Sequence, residues 1–186
     1  MKGKPVIPPV YLTATYQFNH SDDLIDVVQE REGFIYSRWD NPSIVAVEAA
    51  LAEMEGTEHA LGFSSGMAAI TTAILANISA GGRIVATRQI YGGTFEFLND
   101  ILPGLQIETT FVDCWDSERI LHEVSQGCDI LYLESPTNPM LRVVDIAPLA
   151  QAGHEQGAVV MLDSTFASPI NQHPADWAVD VIIHSG

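Results

Sequence analysis

The stretch Ala158-Val159-Val160-Met161-Leu162-Asp163-Ser164-Thr165-Phe166 decides the fold. A short apolar run that stops on a carboxylate reads as a buried strand that delivers Asp163 to its carboxyl end. Just upstream, 145–156 carries helical spacing, with Asp145 suited to cap its start and Gly157 to stop it. Outward from this pair the alternation repeats. Strands are expected at 59–63, 83–87, 107–112, 130–134, 158–162 and 179–183, and helices between them at 67–78, 94–102 and 116–125, the last capped by Asp116. Strand and helix in alternation predict an α/β class, a mostly parallel sheet flanked by helices. Ahead of them, Pro42, the apolar series Ile44, Val47, Leu51 and Met54, and Gly56 predict a helix over 42–55 with one buried face. Residues 1–42, rich in proline, aromatic and polar residues with one short helix at 22–30, read as an arm that packs on something else, and 43–186 as the α/β domain.

Composition narrows the function classes. The 186 residues, 47% of them hydrophobic, suffice for one ordinary domain with a sizeable core. With 24 acidic against 8 basic residues the formal charge is −16, which repels a phosphate backbone and disfavours nucleic acid as a partner. Prolines at Pro5, Pro8 and Pro9 interrupt the apolar run that a signal peptide or membrane helix would need, so a cytoplasmic protein with no membrane partner is expected. Cys114 and Cys128 have no CxxC spacing and only the isolated His122 near them at a ligand interval, and no metal is expected. The only lysines are Lys2 and Lys4.

In an open α/β sheet, ligands gather where strands end. At Ser64-Ser65-Gly66-Met67 a strand gives way to a helix whose free N–H groups could hold an anion, although Gly66 could equally serve a tight turn. Gly62-Phe63-Ser64-Ser65-Gly66 also fits the G-x-S-x-G elbow of serine hydrolases, and Asp163 with His173 or His184 would complete the order Ser, Asp, His. Buried at a strand end, Asp163 needs a cation, backbone N–H groups or a proton. A protonated ring nitrogen would be one such cation, and a turn-forming role is the alternative. Tyr91, followed by Gly92-Gly93, could lay its ring on a planar ligand or simply fill the core. Asn138, between Pro136 and Pro139, could donate to a ligand oxygen or close an Asx-turn. Arg38, in Tyr36-Ser37-Arg38, suits a phosphate or any of the many carboxylates.

In their order, Tyr36-Ser37-Arg38 with Asn41-Pro42, Ser65-Gly66-Met67-Ala68-Ala69, Tyr91-Gly92-Gly93-Thr94, Glu134-Ser135-Pro136-Thr137-Asn138-Pro139, Asp163-Ser164-Thr165-Phe166-Ala167-Ser168-Pro169 and His184-Ser185 resemble the cystathionine γ-synthase, cystathionine γ-lyase and methionine γ-lyase family. The resemblance implies an N-terminal arm plus part of the large domain of a fold-type I transferase that depends on pyridoxal 5′-phosphate (PLP). It implies γ- or β-elimination or replacement on a sulfur-containing or acylated homoserine-type amino acid, in a homo-oligomer built as a dimer of dimers. Ser65, Gly66, Met67 and Ser185 would hold the phosphate, and Tyr36 and Arg38 would reach a neighbouring subunit's site. Tyr91 would stack on the ring and exchange protons, Asn138 would approach the ring oxygen, Asp163 would pair with the ring nitrogen and Thr165 would line the ring. Ser164 stands where the family more often has Asn. Near Tyr91 the chain lacks the cysteine common in methionine γ-lyases, which favours the cystathionine and acylhomoserine enzymes. The family's catalytic lysine would fall two residues past Gly186, so a fragment, inactive alone, is expected, with a non-catalytic module as the alternative.

Overall fold

A computed structural model describes residues 6–30 and 32–186. Lys2, Lys4 and Pro5, named above, lie outside the described residues. Two compact units divide the chain, one up to Gly62 and one from Phe63.

In the first unit lie α1 (Ser21–Glu30) and α2 (Pro42–Glu55). The arm is tied by hydrogen bonds rather than by a core. Tyr16 N–H donates to Ile35 O and Ser37 N–H to Ala14 O around a Thr15–Tyr36 bridge. Asn41 joins the arm to α2: its Oδ1 caps Ser43 N–H at 2.8 Å while its Nδ2 donates to Tyr11 O and Ser37 Oγ. Gly56 closes α2 in the left-handed region, φ 71°, as its position suggests. The expected buried stripe on α2 is corrected: Ile44, Val47, Leu51 and Met54 are all exposed, and Ala52 and Glu55 are the buried positions. Helical spacing records that one face is apolar, not that this chain covers it. Residues 59–63 form no strand either; Gly62 N–H turns to Glu48 Oε1 at 2.6 Å instead of joining a ladder.

The second unit runs α3 (Gly66–Ala76), β1 (Arg83–Thr87), α4 (Gly92–Glu96), β2 (Glu108–Val112), α5 (Ser117–Ser125), β3 (Ile130–Glu134), α6 (Ile146–Glu155), β4 (Val159–Asp163), α7 (Ser168–Asn171) and β5 (Val181–Ile183). All strands pair in parallel in the order β2-β1-β3-β4-β5. Successive strand side chains point to opposite faces, so each strand feeds two cores. Val85, Leu131, Leu133, Val160 and Leu162 pack with Ile120, Val124 and Leu149 on one side. Ile84, Ala86, Ile130, Tyr132 and Met161 pack with Ile70, Ile74, Leu98 and Leu102 on the other. Burial on both faces explains why β3 and β4 read as unbroken apolar runs.

Two helix expectations need adjustment. The stretch expected at 94–102 is α4 followed by a π-helical turn at Phe97–Ile101 and a 3-10 turn at Leu102–Leu105, where Pro103 cannot donate an amide. Asp145 occupies the cap position of α6 but its side chain makes no capping bond, whereas Asp116 accepts Arg119 N–H at 3.0 Å as expected.

Helix α6 lies close to the sheet because Gly153 has no side chain: a Cβ there would meet Val160 Cγ2 at 3.0 Å and Leu131 Cδ2 at 3.5 Å. Gly153→Val is therefore expected to lower unfolding free energy by about 1–3 kcal/mol through overpacking, read as a lower urea midpoint at unchanged slope.

Candidate functional site

The strand order changes direction at β1. From it the chain steps outward to β2, then returns to the other side for β3, so the loops leaving β1 and β3 part from one another. Such a parting opens a crevice at the carboxyl ends. A pocket of about 370 Å³ lies there, within the usual range for small-molecule sites. It gathers Ser65, Gly66 and Met67 from the start of α3, Tyr91 from the loop after β1, and Asn138 from the loop after β3. Asp163 and Thr165 at the end of β4, and Ser185 after β5, bring to eight the residues named from sequence that line it. Tyr36 and Arg38 belong to the first unit and are not among the lining residues; the Arg38 guanidinium lies 4.6 Å from the centroid of the Tyr36 ring.

At one end of the pocket, Ser65 caps α3 by accepting Ala68 N–H at 3.1 Å. That leaves the N–H groups of Gly66 and Met67, which have no intrahelical carbonyl. Gly66 is required by close approach: a Cβ would stand 2.7 Å from both Cβ and Oγ of Ser185. Two bare amides and a hydroxyl at a helix N-terminus form a donor set suited to a phosphate.

At the other end is Asp163, 6% exposed. Its Oδ1 accepts Thr165 N–H at 3.0 Å and Thr165 Oγ1–H at 2.6 Å, and Oδ2 has no hydrogen-bond partner among the described residues. A buried carboxylate oxygen so placed has capacity for a cationic or N–H donor. Thr165 Oγ1 also accepts Ser185 N–H at 3.0 Å, so the two ends of the pocket share one hydrogen-bonded connection. Ser164, adjacent to Asp163, is fully buried and accepts Gln172 Nε2–H at 2.9 Å; it braces the loop rather than entering the pocket.

The walls come from Tyr91 and Asn138. Gly93 lets the Tyr91 ring lie down, because a Cβ there would be 2.8 Å from Tyr91 Cε1 and 3.1 Å from Met67 Sδ. Tyr91 is 48% exposed and is not core filler. Asn138 makes no Asx-turn; its side-chain amide has no hydrogen-bond partner among the described residues, while the loop around it is tied by Thr137 N–H to Arg142 O and Val144 N–H to Ser135 Oγ.

The sequence reading gives no role to Glu134, which also lines the pocket. Its signal was available, since Glu134 ends an apolar run just as Asp163 does, and β3 and β4 pair these two residues in register. Oε2 accepts Tyr91 N–H at 2.7 Å and Oε1 accepts Asn138 N–H at 2.9 Å. Burial pushes the Glu134 carboxyl up to about 7, with the nearby Asp163 charge acting in the same direction and the two amides opposing it. Burial likewise pushes the Tyr132 phenol, two residues back on β3, well above its ordinary range, with Asp163 and Glu134 adding to the effect.

The serine-hydrolase alternative is not supported. Ser64 is exposed and is not among the lining residues, no histidine lines the pocket, and Asp163 is engaged by Thr165.

The chain is 39% identical to cystathionine gamma-synthase 1, chloroplastic, of Nicotiana tabacum over 97% of its own length and 34% of that protein. It is 38% identical to cystathionine beta-lyase MetC of Bacillus subtilis (strain 168), covering 84% of the chain and 40% of that protein. The crystal structure of metB from Corynebacterium glutamicum superposes with TM-score 0.88 at 31% identity, covering 97% of the chain and 45% of that structure. The chain thus spans between about a third and a half of the length of these relatives. The family described as Cys/Met metabolism PLP-dependent enzyme matches residues 2–186, and the chain belongs to that family.

Proposed function

We propose that the complete enzyme uses PLP to carry out γ- or β-elimination or replacement on a sulfur-containing or acylated homoserine-type amino acid. One observation carries the reading: a phosphate-type donor set and a buried carboxylate with a spare oxygen stand at two ends of a single pocket, joined through Thr165. The relatives named as a synthase and a β-lyase support the reaction class.

When bound, PLP supplies an electron sink for the pair released at the substrate's α-carbon. The chain's own residues hold and tune it. Gly66 N–H, Met67 N–H and Ser185 Oγ–H would hold the phosphate, helped by the positive end of α3. Asp163 would keep a proton on the ring nitrogen by charge pairing, and Thr165, donating twice to Oδ1, fixes the carboxylate's orientation. Asn138 would offer its side-chain amide to the ring oxygen. Tyr91 would shield the ring from water, and its phenol would pass a proton to the departing group. The reading includes a cytoplasmic enzyme assembled as a dimer of dimers, in which Tyr36 and Arg38 on the arm complete a neighbouring subunit's site.

Two substitutions test it. In the full-length enzyme Asp163→Asn should cut kcat by roughly a hundredfold or more while leaving thermal unfolding near that of the wild type, since the ring's proton loses its counter-charge. Near-normal turnover would refute the role. Gly66→Ala should weaken PLP binding by about tenfold or more, measured by equilibrium dialysis, because the added methyl would displace Ser185 and cover the amides.

A further inference from the structure

Glu134 ends β3 beside Asp163 and is only 4% exposed. A carboxylate buried at a strand end without a cation must have its acceptors filled. Here backbone fills both: Tyr91 N–H comes from the loop after β1, 43 residues away in sequence, and Asn138 N–H from the loop that Glu134 itself begins. The second partner is selected by the sequence around it. Pro136 and Pro139 have no N–H and Thr137 N–H is taken by Arg142 O, which leaves Asn138 N–H to secure the loop to the strand.

Neither bond belongs to a helix cap or a sheet ladder. Tyr91 precedes α4 without capping it through its side chain, and Asn138 lies past the end of β3. What the two amides share is that their residues form the walls of the pocket. We propose that Glu134 is a positioning residue, a two-pronged acceptor that fixes the Tyr91 and Asn138 loops relative to one another and so sets the width of the opening between phenol and amide. The link to PLP rests on the functional reading given above; the clamp is a property of the chain itself.

The clamp is sensitive to pH. The groups facing Glu134 are Asp163 on β4 and the Tyr132 phenol on β3; α3 has no ionisable residue, and Glu96 on α4 is exposed. Because burial holds the proton on Glu134 up to about 7, against 4.5 for a solvated carboxyl, opening that wets the group releases the proton. The closed arrangement is therefore favoured fully below about pH 4.5, loses ground as pH rises to about 7, and is level above it.

Native-state hydrogen exchange on the full-length enzyme tests the proposal. Glu134→Ala should lower protection of the Tyr91 and Asn138 amides by about tenfold or more, while Leu131 and Leu133 within β3 keep theirs. In the wild type, protection of the two amides should fall together from pH 4.5 to 7; in Glu134→Gln, one amide should lose protection and the other show no such slope. Unchanged protection in the alanine variant, or a parallel loss through β3, overturns the clamp. If that variant does not fold, a flat wild-type profile overturns it instead. PLP titration, followed by quenching of intrinsic fluorescence, separates the two readings. About tenfold weaker binding by the alanine variant supports the clamp's role at the ring, and equal binding overturns that role. Absence of binding by wild type and variant alike defeats the PLP reading while the exchange result stands.

Discussion

Two carboxylates, Glu134 and Asp163, end neighbouring parallel strands in register and are buried together without a lysine or arginine among the described residues salt-bridged to either. Placing like charges side by side in a low-dielectric crevice is unfavourable, and the surrounding chain is arranged around relieving it. Glu134 is satisfied by amides from two loops and Asp163 by the amide and hydroxyl of Thr165. Each donor is a group that also shapes the pocket, so electrostatic relief and pocket geometry come from the same bonds. What remains after this accounting is one oxygen of Asp163, the natural place for a ligand's positive charge.

The sheet makes this crowding possible. Parallel strands place all their carboxyl ends on one edge, and the return from β2 to β3 across β1 leaves a gap at that edge into which the start of α3 points its amides. An antiparallel sheet would send alternate strand ends to opposite edges and would disperse the same residues. The hydrophobic clusters on the two faces hold the strand ends in register, and the polar loops settle on that frame with bonds that are mostly to backbone.

Most of the frame could be read from sequence because it depends on local pattern. The strands Arg83–Thr87 and Ile130–Glu134 have the bounds expected from sequence, each built on a short apolar run. Where local pattern and long-range contact disagree, reading fails. Leu61 and Phe63 look like strand residues, but Gly62 bonds Glu48 and no strand among the described residues pairs with them. Ile44, Val47, Leu51 and Met54 look like a core stripe, yet they are exposed in this chain. The pocket residues were legible because turn chemistry and strand ends mark them. Glu134 is marked as a strand end in the same way, but its role as an acceptor was not legible, since that role depends on an amide 43 residues distant and no periodicity records that approach.

Thr165 has a further effect on what the pocket can accept. Its hydroxyl takes Ser185 N–H and gives its own proton to Asp163, so the anion-binding corner and the carboxylate are separated by a fixed series of short bonds. Such a series acts as a ruler. A molecule with a negative group at one end and a positive one at the other is graded by the distance between its charges, and one of the wrong length satisfies only a single end. Discrimination of this kind operates before any contact with the molecule's reactive substituents, and it belongs to the protein's scaffold rather than to its chemistry.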